Sequence, residues 1–261
     1  MTIAVTMWNE NIHETTEPHI MPFYPDGIHG AVAAALDGVL GDEVRVHTAT
    51  LQQTDHGLTE ERLEATDVLF WWGHLAHDQV ADEIVERVQR HVLGGMGLVV
   101  LHSGHFSQIF TRMMGTSCSL SWRDDGDREV LWVTAPGHPL TEGVPSPLVV
   151  DAHETYGEFF DVPEPDETIF ISSFSGSEVF RSGLTYRRGR GRIFYFSPGD
   201  QKYPIYNHPD IQRVLANAAR WAASTERHAP PIVAHPSSIR NTSPVSVILP
   251  RHPTDLGISS P

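Results

Sequence analysis

The chain has 261 residues, 40% of them hydrophobic, with 33 acidic and 18 basic side chains for a net charge of −15. That length allows one or two domains with an ordinary core, and the acidity argues against a nucleic-acid or anionic-membrane partner, either of which needs clustered Lys and Arg. No apolar run approaches the ~20 residues of a membrane span, and a single cysteine, Cys118, forms no internal disulfide, which fits a reducing cytoplasm.

The opening, Met1-Thr2-Ile3-Ala4-Val5, lacks the basic start of a secretory leader and reads as a first strand, Ile3–Met7. Gly30–Leu40 is Ala-rich and periodic, which predicts a helix ending near Gly41. Val44–Thr50 predicts a second strand. Thr59 is placed to cap a short helix, Glu60–Ala65. Val68–Trp72 predicts a third strand. Val80, Ile84, Val88 and Val92 recur at four-residue spacing, predicting a helix capped by Asp78. Leu98–Leu101 predicts a fourth strand, followed by a helical stretch over Phe106–Met114. Further on the chain is strand-rich, at Val130–Thr134, Thr168–Ser173, Val179–Phe180 and Arg192–Ser197, before a last amphipathic helix over about Pro209–Ala223. Strand–helix alternation with continuously apolar strands predicts an α/β fold around a mostly parallel sheet. The predicted organisation is one domain over residues 1–225 and a Pro/Ser-rich tail over residues 226–261 without periodicity.

Sixteen histidines set this chain apart, and several follow directly on apolar runs: Trp71-Trp72-Gly73-His74-Leu75-Ala76-His77 and Leu101-His102-Ser103-Gly104-His105. Imidazole is the commonest metal ligand and titrates near neutrality. In open α/β sheets, ligands bind beyond the carboxyl ends of the strands. Those ends carry Trp8, Asn9, Glu10, Tyr24, His29, His74, His77, His102 and His105. The His-x-x-His pairs point to a divalent metal, zinc among the candidates. His102 follows its strand as a side chain does at a nucleophile elbow, but Gly-x-Ser-x-Gly is absent, so acid–base work or ligation suits it better than serine chemistry. Glu154 is placed as a base or ligand beside Tyr156. Asp200, after Pro198-Gly199, is placed to orient a histidine or bind a hydroxyl. Trp8, Trp71, Trp72, Tyr24 and Tyr203 are candidates to stack on a sugar, and Arg181 is a candidate to reach the same pocket.

These stretches taken in order, together with His56-Gly57-Leu58-Thr59-Glu60, Met114-Gly115-Thr116-Ser117-Cys118, Tyr156-Gly157-Glu158 and Glu178-Val179-Phe180-Arg181-Ser182-Gly183, resemble the ThuA-like (trehalose utilisation) family from about Thr2 to Ala222. The resemblance implies a class I glutamine amidotransferase-like fold, a flavodoxin-like three-layer sandwich with a strand-rich second half. In amidotransferases of that fold the elbow carries a nucleophilic Cys. Here the position falls on His102, and Cys118 lies well past it, which excludes glutaminase chemistry by a thiolate. The family usually has His after Pro-Gly, where this chain has Asp200.

The family's association with disaccharide use implies a sugar or keto-sugar ligand, such as a 3-keto-glycoside. A C3 ketone acidifies the C2 proton, so base-promoted elimination at C1 followed by hydration gives net cleavage. The expected roles are Glu154 as base, His102 as proton carrier with Asp200 beside it, and His29, His74 and His105 as metal ligands. Trp8, Asn9, Glu10, Tyr24, Trp72, Tyr156, Arg181 and Tyr203 are the expected sugar contacts. A non-catalytic sugar-binding module and a metal-dependent hydrolase or isomerase of another keto-sugar stay open as alternatives. A homo-dimer is the base-rate expectation.

Overall fold

Leu69 and Trp71 bury on one side of their strand while Phe70 and Trp72 bury on the other. Such a strand needs cover on both faces. The computed structural model describes residues 2–223. The expected tail over residues 226–261 lies outside the described residues. Nine strands appear among them: β1 (Ile3–Asn9), β2 (Val44–Thr50), β3 (Val68–Trp72), β4 (Gly97–Leu101), β5 (Ser121–Val133), β6 (Leu148–Gly157), β7 (Glu167–Phe174), β8 (Val179–Arg188) and β9 (Gly191–Phe196). The helices are α1 (His13–Thr16), α2 (Gly27–Leu40), α3 (Glu60–Glu64), α4 (Asp82–Gly94), α5 (Gln108–Met114) and α6 (Pro209–Ala222).

All nine strands form one sheet in the order β2-β1-β3-β4-β9-β8-β7-β5-β6. The five strands from β2 to β9 run parallel, and β8, β7, β5 and β6 continue antiparallel. On one face, α2 and α6 set Val32, Leu36, Val214 and Leu215 against Met7, Phe70 and Trp72. On the other, α4 and α5 set Ile84, Val88 and Phe110 against Leu69, Trp71 and Tyr195. Each such side chain contributes about 1.5–3 kcal/mol of burial. The result is the expected three-layer α/β sandwich, parallel in its first half and antiparallel in its second. No helix among the described residues is long and apolar enough to cross a membrane.

Local chemistry sets most boundaries. Thr59 caps α3 by accepting from the Arg62 N–H at 3.2 Å. Three differences from the sequence reading have physical causes. Helix α4 starts at Asp82 rather than near Asp78, because Val80 and Ala81 are extended (ψ 118° and 135°) and put a separate turn at His77–Gln79. Helix α2 starts at Gly27, three residues before the periodic stretch, with Gly27 at φ +74°. Strand β5 is 13 residues long and begins at Ser121, well before the expected Val130. Its Asp124, Asp125 and Asp127 are poor strand formers, and pairing with β6 overrides that preference.

Candidate active site

The buried strand β4 ends in a turn where His102 sits at φ +48°. A non-glycine residue there is uncommon, and its partners hold it. The His102 Nδ1–H donates to the Ser197 carbonyl just past β9, at 2.8 Å. That bond assigns the proton and aims Nε2 inward. Nε2 lies 3.0 Å from Glu154 Oε2, 3.6 Å from Asp200 Oδ2 and 3.2 Å from the Tyr156 hydroxyl. The imidazole also stacks on the Tyr156 ring at 4.8 Å. Burial disfavours a charged His102, but the two carboxylates outweigh it and push the imidazole up to about 10. Burial likewise opposes ionisation of Asp200, yet its hydrogen bond to His102 brings the carboxyl down to about 2. Burial first, then the charge of Glu154, drives the Tyr156 hydroxyl far above its ordinary range. His102 is therefore a cation between two buried carboxylates.

A break in strand register contributes to this convergence. Strand β6 pairs Val150 with Glu129 but His153 with Asp127, so it carries one extra residue across that step. Val150 buries in the core on the α2/α6 side, whereas Tyr156, at the same parity, buries on the α4/α5 side. A bulge reverses side-chain parity in this way, and it turns Glu154 and Tyr156 toward His102.

Asp200 is held from behind. His153 Nε2 accepts from the backbone N–H groups of Gly199 and Asp200, at 3.0 and 3.2 Å. Its Nδ1–H then faces Glu129 Oε2 at 2.8 Å, and Glu129 Oε1 accepts from Ser172 at 2.6 Å. Gly199 is required in this loop: it sits at φ +150°, and a Cβ would lie 2.0 Å from the Tyr206 hydroxyl oxygen. His153 and Glu129 are fully buried and position the Asp200 loop. Sequence reasoning missed both, and adjacency to Glu154 was the only signal for His153. Replacing His153 with Leu strands two buried donors and a buried carboxylate, for an expected loss of about 3–5 kcal/mol in denaturant unfolding. Adding Glu129→Gln removes the stranded charge and should recover part of that loss.

Beside the His102 group opens a cleft of about 220 Å³, whose walls include His74, His77, His105, Trp122, Tyr156 and Lys202. Lys202, the one lysine of the chain, pairs with Asp124 at its rim. Burial disfavours the charged form of all three wall histidines. Burial and the neighbouring imidazoles bring His105 down to about 3, and burial brings His77 to about 4. His105 donates from Nδ1 to the Cys118 carbonyl at 2.8 Å. Burial pushes the Cys118 thiol up to about 11, so no thiolate is available for nucleophilic chemistry.

The structure distributes the expected site residues unevenly. His102, Glu154 and Asp200 meet: their donor atoms all lie within 4.8 Å of one another, the one group of three or more His, Cys, Asp or Glu among the described residues to do so. The expected ligands His29, His74 and His105 are not such a group. His74 and His105 line the cleft, and His74 Nδ1 lies 2.9 Å from His13 Nε2. His29 is outside it, 3.1 Å from the Asn9 amide. Of the expected sugar contacts, Tyr156 lines the cleft and the other seven do not. Trp8 is buried against Trp71 at 3.9 Å. Asn9 donates to Glu14. Glu10 accepts from the backbone N–H groups of His74, Leu75 and Ala76, which shapes the loop after β3. Tyr24 donates to the Tyr203 carbonyl and Trp72 to the Gly199 carbonyl. Arg181 pairs with Glu158, and Tyr203 lies near His153 with ring centroids 6.5 Å apart. Apolar and polar strand-end residues alike are consumed in holding loops, because a buried polar group needs a partner.

The family model described as trehalose utilisation, ThuA, matches residues 5–222. Among solved structures, the fold is similar to a putative ThuA-like protein from Bacteroides uniformis (TM-score 0.61, 15% identity, covering 86% of this chain and 93% of that one). It is also similar to a putative ThuA-like protein from Parabacteroides merdae (TM-score 0.59, 16% identity, 88% and 92% covered). A third, titled a cytoplasmic protein from Salmonella typhimurium, aligns at TM-score 0.51 and 11% identity, covering 84% and 98%. No curated protein matches the sequence.

Proposed function

Because the chain belongs to the ThuA, or trehalose utilisation, family, we propose that it cleaves an oxidised disaccharide, such as a 3-keto-glycoside, by acid–base elimination followed by hydration. Family membership supports a role in sugar utilisation. The observation that carries the chemistry is the buried His102–Glu154–Asp200 group beside a cleft. At about 220 Å³ the cleft is smaller than the ~300 Å³ at which drug-sized pockets begin, and suits a single sugar ring.

In this reading Glu154, whose side chain is 8% exposed, is the base that reaches the ring. It takes the C2 proton, the C2–H electron pair becomes the enolate of the C3 ketone, and that enolate expels the C1 oxygen. His102 supplies the proton that the departing sugar oxygen needs and is reprotonated from Glu154, 3.0 Å away. Asp200 keeps His102 charged between turnovers. Water then adds at C1 of the enone and a proton returns to C2, which completes a net hydrolysis. The Tyr156 hydroxyl, held in its neutral form, is a donor for the C3 oxygen.

With His102 deprotonated at Nε2, and so no longer the proton carrier, the same donor set fits a divalent ion. The bond from Nδ1–H to Ser197 leaves Nε2 free for ligation, as orienting partners of ligating histidines do. Two buried carboxylates with a neutral imidazole balance a charge of +2, and mixed N/O donors suit zinc. When bound, such an ion would polarise the C3 carbonyl and stabilise charge on its oxygen.

The test is turnover of 3-keto-trehalose in deuterated water, followed by proton NMR. Glucose and 3-keto-glucose should appear together, with deuterium at C2 of the keto product from its first appearance. Product without deuterium overturns elimination. Thermal stabilisation by the sugar with no product favours a binding module.

A further inference from the structure

Most of the tryptophans and tyrosines expected to stack on sugar are buried, so the aromatic platform must come from elsewhere. Trp122 is 65% exposed. Its indole makes no ring stack or hydrogen bond among the described residues. It stands opposite Tyr156 in the β5–β6 ladder, and directly opposed residues share a face. Trp122 therefore rises beside Tyr156 at the mouth of the cleft, whose wall it forms. One exposed indole thus stands at the mouth of a hollow with room for about one ring.

We propose that Trp122 is the platform of a second sugar subsite: the reacting ring occupies the cleft, and the ring it is joined to lies against the indole at the cleft mouth. This rests on the sugar reading above and names the residue that receives the second ring. The chemistry matches. The C–H face of a pyranose packs on an aromatic ring, while its hydroxyls meet polar groups around the rim. At the cleft mouth those groups are Lys202 and its partner Asp124. An apolar peptide would find instead one isolated indole among charges.

The experiment is calorimetric titration of the full chain, native and Trp122→Ala, with trehalose and with glucose. Neither probe carries the ketone, so the result does not depend on whether elimination occurs. The native chain should bind trehalose more tightly than glucose. Trp122→Ala should weaken trehalose about tenfold, the size of one stacking contact, while glucose changes by less than about twofold. Trp122→Phe should restore most of the loss, a rescue that a merely structural role would not give. No trehalose preference in the native chain, or equal effects on both sugars, overturns the subsite. A native dimer that dissociates on Trp122→Ala in sedimentation also overturns it, by assigning the indole to an interface between copies. Failure of keto-sugar turnover with the binding ratio intact overturns the chemistry and leaves the subsite standing.

Discussion

Glu154→Gln lowers turnover of 3-keto-trehalose by about a thousandfold, within the usual range for removal of a general base. The amide keeps the size of the side chain and a hydrogen bond to His102, which lies 3.0 Å away, so the loss falls on kcat rather than on KM. The change removes one of two carboxylates around a buried cation and leaves Asp200 to hold the charge. The thermal midpoint should therefore move far less than the rate. Deuterium exchange at C2 of the substrate reads the base separately from cleavage, and it should fall in parallel. A Glu154→Gln variant with native exchange and native kcat would remove Glu154 from the role of base and reopen the choice among the wall histidines.

Zinc added to chelator-treated protein raises its thermal midpoint by about 5–10 °C at a hundredfold excess over the dissociation constant, which corresponds to about 2.7 kcal/mol in a chain of this size. Asp200→Asn abolishes the shift, because it removes one of the three converging donors. The pH dependence has a definite sign. A ligating imidazole must surrender its Nε2 proton, and His102 holds that proton up to about 10. Zinc affinity therefore climbs as pH rises from 6.5 toward 10, by up to about tenfold per unit. The metal-free protein behaves in the opposite way. The folded value for His102 is raised above its ordinary 6.5, so its contribution is full below 6.5 and is lost as pH rises through about 10. The separation between the two melting curves should widen steadily with pH. Coincident curves at every pH would rule out an ion on these donors and leave proton transfer by the side chains alone.

Much of the fold was legible because its signals are local. The all-apolar runs Val68–Trp72 and Leu98–Leu101 appear as strands buried on both faces, and Thr59 caps its helix through the N–H of Arg62. Strand β5 was legible only at its apolar end. Its acidic half reads as loop by composition and becomes strand through pairing with β6. The site divided in the same way. His102, Glu154 and Asp200 stood out as polar residues at strand ends, and the structure brings those three together. The strand-end aromatics Trp8, Trp72 and Tyr24 stood out equally and are buried supports. Periodicity does not distinguish a side chain that faces a cleft from one that faces a loop.

By itself, the sequence determined the layered α/β architecture, the family and the elbow histidine, since each depends on residues adjacent or regularly spaced along the chain. Only the tertiary structure decided which polar groups share a site. Glu154 reaches His102 because a bulge between Val150 and His153 reverses the parity of β6. Asp200 reaches it because a buried His153–Glu129 pair holds the loop after β9. Strand register and a one-residue bulge between paired strands are properties of chain segments distant in sequence, and no local pattern encodes them.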